Sequence, residues 1–144
     1  MKSRAIIVNF RKYMPFGGEY FEPLYDYFIS QMTKYQDEFD HLYLLDSAWN
    51  IQDPPEFATV IQTDISDRYY DSYKKALPNI KEDNVLLLDN DTLIYRPGVI
   101  DQAFLKIEEG YDASGIFDDV GEWRFEALNG KAKFCPYLFC IKKD

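Results

Sequence analysis

The stretch Asn84–Ile100, NVLLLDNDTLIYRPGVI, runs Val85-Leu86-Leu87-Leu88 straight into Asp89-Asn90-Asp91 and returns at once to Leu93, Ile94 and Tyr95. An unbroken apolar run, with no polar residue at alternate positions, suits a strand covered on both faces. Strands of this kind, where they alternate with helices along a chain, build an α/β architecture.

The rest of the sequence repeats the pattern. SRAIIVNF reads as a first strand, HLYLLD as a second ending in Asp46, and ATVIQTD as a third ending in Asp64. Between the first two, Leu24, Phe28, Met32, Tyr35 and Phe39 recur at helical spacing behind Pro23, a residue suited to a helix's first turn. Ser66 can cap a second helix in which Tyr69, Tyr73 and Leu77 share a face, and a third is expected from about Pro97 to the stop at Gly110. YDASGIFD is a fifth strand candidate, FEALNGKAKF carries the Asn-Gly of a hairpin, and YLFCIKK closes as a further strand. No repeat or linker interrupts this order, so residues 1–144 are expected to form a single domain: an open, mostly parallel sheet with helices on both faces.

Charge restricts the partners. A formal net charge of −9 opposes binding to nucleic acid or an anionic membrane surface, both polyanions. A phosphate-bearing ligand would need a cation to mediate. The apolar run after MKSR is too short for a secretory signal and nothing approaches a membrane span, so a cytoplasmic location is the expectation. Cys135 and Cys140 point to opposite faces of a strand, which suits two reduced thiols.

The aspartates are where chemistry is expected. Ligands of open α/β sheets bind beyond the carboxyl ends of the strands, where Asp46, Asp64 and Asp89 are expected to fall. Asp64 is also a natural part of the cap before Ser66. In an extended chain Asp89 and Asp91 point to one side and Asn90 to the other, so two carboxylates converge on a small volume. Without a cation, one would have its pKa raised by the other; with Mn²⁺ or Mg²⁺ both stay ionised as hard oxygen ligands.

With the D-x-D closing the fourth strand, the sequence resembles the nucleotide-sugar-binding half of GT-A-fold glycosyltransferases. The pieces that carry the likeness are AIIVNF, ISQM late in the first helix, LYLLDS, YYDSYKKAL and LLLDNDTLI, in that order. The resemblance implies transfer of a sugar from a nucleoside-diphosphate donor, UDP-linked by preference, to a glycan or other acceptor. It implies that Asn9 and Phe10 line the base pocket and Asp46 meets the base. It further implies that Asp89 contacts ribose or metal-bound water, that Asp91 ligates the metal, and that Asn90 lies within the motif. Asp46 has a second reading, as a strand-end turn residue with Ser47. Lys74, with Arg11, Lys12, Arg68 and Lys75, is placed to add positive charge near the phosphates.

Full GT-A domains continue into an acceptor-binding half, so the chain is expected to be truncated there, a compact relative, or a module completed by another chain. For a catalytic base the sequence offers only Asp118, Asp119 and Glu122, in an acidic loop. Two rival functions remain. A haloacid-dehalogenase-like phosphatase also uses two aspartates one residue apart, but on its first strand and with a glycine this motif lacks. The other is a non-catalytic module that keeps the nucleotide-sugar fold. His41 reads as a strand-start residue, and Trp123 as a core aromatic.

Overall fold

The computed structural model describes residues 2–11, 21–67, 69–94, 96–117 and 134–143. Among these residues six strands form one sheet: β1 (Arg4–Arg11), β2 (His41–Ser47), β3 (Ala58–Gln62), β4 (Asn84–Asp89), β5 (Ala113–Phe117) and β6 (Phe134–Lys142). Their order is β3-β2-β1-β4-β6-β5. The first four are mutually parallel, while β6 runs antiparallel to both β4 and β5. The expected open, mostly parallel α/β sheet is thus present.

Alternation along β1 assigns the two faces. Ile6, Val8 and Phe10 pack with Phe28, Met32 and Tyr35, and with Ile100, Phe104 and Ile107. The first three of these partners belong to, or directly follow, α1 (Phe21–Lys34), and the others to α3 (Val99–Glu108). Ala5 and Ile7 face the other way, onto Tyr73 and Ala76 of α2 (Tyr69–Ala76). Both faces are covered, which is why the central strands are apolar without alternation. Each fully buried Phe, Leu or Ile contributes roughly 1.5–3 kcal/mol.

Several boundaries differ from expectation. The first helix stops at Lys34, and Gln36–Glu38 forms a 3₁₀ turn before Phe39 becomes extended. That break lets the Glu38 carboxylate accept hydrogen bonds from the N–H groups of Gly98 (2.7 Å) and Asp101 (3.0 Å), capping α3 from outside. Gly98 needs no Cβ there, since its φ is +83°. The third strand ends at Gln62, so Asp64 lies beyond the sheet rather than at its edge. β6 begins at Phe134, earlier than YLFCIKK suggested, while the Asn-Gly hairpin signal and Trp123 lie outside the described residues.

At the amino edge of the sheet, Arg4 is buried in a cluster of acids. Its guanidinium donates to both Glu108 oxygens (2.8 and 2.9 Å) and to Asp101 (2.6 Å), and lies over the Phe104 ring. This ties β1 to α3.

At the carboxyl edge the strands are of unequal length. β4 stops at Asp89, paired with Asn9, whereas β1 runs on through Phe10 and Arg11 alongside β2. On the other side Leu88 pairs with Leu138 of β6, which begins back at Phe134 and pairs there with Phe117. The end of β4 is therefore a notch between two longer neighbours.

Candidate functional site

The notch lies where the sheet's connectivity changes direction: β1 has β2 on one side and β4 on the other. Ligands of open α/β sheets bind at such switch points. Parity along the strands puts Asn9 and Asp89 on the α2 face, with Ile7 and Val85 below them.

Asn9 is 3% exposed, and neither its Oδ1 nor its Nδ2 has a hydrogen-bond partner among the described residues. A buried amide without partners is costly, so Asn9, like the buried Asn84 at the other end of β4, calls for a partner from water, from the rest of the chain or from a ligand. Asp89 is half-buried, and its carboxyl is pushed up to about 6, first by its removal from water and second by the charge of Asp91.

Strand alternation is not what brings Asp89 and Asp91 together, contrary to expectation. The chain is extended only as far as Asp89; the Thr92 N–H then donates to Asp89 O at 3.1 Å, so Asn90 and Asp91 occupy a turn. The carboxylates still interact, Asp89 recessed and Asp91 exposed, with Asn90 half-buried between them. Two crowded oxygen donors of like charge suit a hard divalent ion such as Mg²⁺ or Mn²⁺. Among the described residues no group of three or more acidic, histidine or cysteine side chains is placed to hold a metal ion, so of these residues this pair alone would supply ligands.

Beyond the turn, the segment from Thr92 to Ile94 is anchored on α1. The buried Gln31 donates from Nε2 to Thr92 O (2.9 Å) and accepts at Oε1 from Ile94 N–H (2.7 Å). The Tyr35 hydroxyl donates to Ile94 O at 3.4 Å. Gln31 was not among the residues singled out from the sequence, although a polar residue beside Phe28 and Met32 on a helix's buried side was the available signal.

Asp46 is fully buried and faces the α1 side, opposite Asn9. Its Oδ1 accepts from Trp49 N–H (2.8 Å), and its Oδ2 from Ile51 N–H (2.8 Å) and Gln62 Nε2 (3.3 Å). The geometry is that of the strand-end turn residue. It holds a loop in which Ala48 and Asn50 adopt left-handed backbone, at φ of 71° and 55°. That conformation costs an alanine about 1 kcal/mol. The Phe10 ring is also fully buried, edge-on to Phe28 at 5.6 Å and Tyr25 at 5.5 Å, so it serves the core and only its backbone faces the edge.

The remaining candidates divide. Lys74 is exposed on α2, beside Lys75, which pairs with Asp67. Asp64 Oδ1 accepts from both the N–H (2.8 Å) and the hydroxyl (2.7 Å) of Ser66, an Asx turn ahead of α2, which begins only at Tyr69 instead of directly after Ser66 as expected. His41 opens β2 and pairs its Nε2 with Thr59 Oγ1 at 2.8 Å. Cys140 is a buried free thiol, pushed up to about 12 by burial. Lys12, Arg68, Asp118, Asp119 and Glu122 lie outside the described residues. Among the described residues no helix is long and apolar enough to cross a membrane.

No protein-family model matches the sequence, and a search of curated proteins finds no match. Solved structures do resemble the fold. Bifunctional IspDF from Campylobacter jejuni superposes with a TM-score of 0.68 at 15% identity, over 99% of this chain and 41% of that one. The mannosyltransferase PcManGT from Pyrobaculum calidifontis, in complex with GDP-Man and Mn²⁺, gives 0.61 at 16% identity, over 98% and 44%. CMP:2-keto-3-deoxy-manno-octonic acid synthetase, complexed with CTP, gives 0.60 at 10% identity, over 99% and 75%. The chain spans less than half the length of the first two. The fold around the notch is therefore a GT-A-like α/β fold.

Proposed function

We propose that the notch binds a nucleoside-diphosphate sugar, UDP-linked by preference, through a divalent cation held by Asp89 and Asp91, for transfer of the sugar to a glycan or other acceptor. The observation that carries this reading is the crowded Asp89–Asp91 pair at the carboxyl edge, beside the buried amide of Asn9. A phosphate charge about 4 Å from a carboxylate is opposed by roughly 4 kcal/mol at an effective dielectric of about 20. Two aspartates thus accept a diphosphate only with an intervening cation. When bound, Mn²⁺ or Mg²⁺ would neutralise the diphosphate and stabilise it as a leaving group.

The chain's own groups then divide the work. Asn9 offers the ligand a donor and an acceptor from a buried position. Lys74 adds positive charge from solvent. Asp46 acts on the base through the loop it organises, Ser47 to Ile51, rather than by touching it. Asp118, Asp119 and Glu122 stay the candidates for a base.

Calorimetry of UDP binding in Mn²⁺ and in EDTA tests the reading: binding is expected only with the metal, and equal binding in EDTA would refute the bridge. A second reading, nucleotidyl transfer from a nucleoside triphosphate, is favoured by the CTP-bound neighbour, of which this chain covers 75%. Competition between CTP and UDP-sugars separates the two. Absence of any metal-dependent donor hydrolysis or transfer, with binding intact, would favour a non-catalytic module.

A further inference from the structure

We propose that Gln31 of α1 is the positioning residue that holds Asp91 in place for the cation, an inference that rests on the metal reading above. Asp91 is exposed in the turn closed by the Thr92 N–H to Asp89 O bond, and among the described residues its side chain accepts no hydrogen bond. The turn is held at both ends instead. At one end Asp89 is part of the sheet, paired with Asn9. At the other, Thr92 comes directly after Asp91, and its carbonyl accepts the Gln31 Nε2 hydrogen bond at 2.9 Å.

Gln31 does more than touch one atom. Its amide presents a donor to Thr92 O and an acceptor to Ile94 N–H at 2.7 Å, the same pair of groups a neighbouring β-strand would present to these alternate residues. A single helical side chain thus presents a strand-like pair of groups just beyond the end of β4. Leu93, between the two bonded residues, is 63% exposed and supplies no anchorage by burial. Gln31 itself is 7% exposed, so solvent competes little for its amide. The Tyr27 hydroxyl donates to the same Oε1 at 3.4 Å and helps fix the rotamer. Partners behind metal ligands act this way, and losing one typically costs about 10–100-fold in metal affinity.

The test uses Gln31→Met, close in volume but unable to make either bond, and Gln31→Glu, which keeps the acceptor for Ile94 N–H and loses the donor to Thr92 O. The second covers the case in which the first does not fold. Two quantities are read on folded protein: the backbone order parameter of Asp91 by NMR without metal, and the affinity for Mn²⁺ alone. Lower order at Asp91 together with an affinity loss of about tenfold or more is expected. A role confined to stability would lower the melting temperature and leave both readings unchanged, and that would overturn the proposal. So would lost order with wild-type Mn²⁺ affinity. If Asp91→Ala binds Mn²⁺ as well as wild type does, or wild type binds none, the metal reading itself falls and this inference with it.

Discussion

Asn9 and Asp89 are the last partners across the β1–β4 seam, an almost fully buried amide beside a half-buried carboxyl on the α2 face. Changing the amide to a carboxylate tests that closeness. Asn9→Asp should crowd Asp89 further and lower the melting temperature of the metal-free protein. Mn²⁺ should then raise that temperature more than it does in wild type, because the ion binds the folded state alone. Equal shifts in melts with and without Mn²⁺ would separate Asn9 from the cation's surroundings.

Asp89 predicts an unusual response to pH. Its folded value of about 6 stands above the ordinary 3.8, so the folded chain keeps a proton that the unfolded chain has already released. The stability this group contributes is full below about pH 3.8 and is lost as the pH rises through about 6. Asp89→Asn removes the loss. In urea at pH 7.5 without metal, the variant should be more stable than wild type by about 1–2 kcal/mol, after allowing for solvent screening of a half-exposed group. The advantage should vanish near pH 3.8 and reverse at pH 7.5 in saturating Mn²⁺.

Asp46→Asn should cost stability first. The amide presents N–H to the backbone N–H of either Trp49 or Ile51, leaving one of these without its acceptor. A loss of about 1–3 kcal/mol in urea unfolding is expected. A variant as stable as wild type would show that the loop from Ser47 to Ile51 holds itself.

Arg4→Met probes the far end of the sheet. Removing the guanidinium leaves Glu108 and Asp101 facing one another without their shared partner, at a cost of about 1–3 kcal/mol, since both carboxylates keep some contact with water. Arg4 holds the Glu108 carboxyl below its ordinary 4.5. That contribution is present above pH 4.5 and lost as the pH falls through the lower folded value, so wild type and variant should converge in acid. Mn²⁺ affinity of the folded variant should not change.

The sheet was legible because its central strands are apolar at every position, a pattern that few other arrangements tolerate. Asp89 and Asp91 were legible as a pair for the wrong geometric reason: their convergence comes from a turn, which period-2 alternation does not describe. Asp46 shows the limit of composition. A strand-end aspartate reads alike whether its oxygens meet a ligand or the two N–H groups of its own loop, and only burial separates these. Gln31 was hidden because its partners, Thr92 and Ile94, are main-chain atoms far along the chain, and main-chain atoms leave no mark in a sequence.

The shortness of β4 sets a size limit on whatever enters beside Asp89. Neighbouring strands lie about 4.8 Å apart, so the rims formed by β1 and β6 stand roughly 10 Å from each other, one strand width removed between them. A helix with its side chains, about 10–12 Å across, is too broad for that gap. A flat ring or a chain of phosphates is not. A ligand of this notch would thus be sorted by calibre before any side chain recognised it.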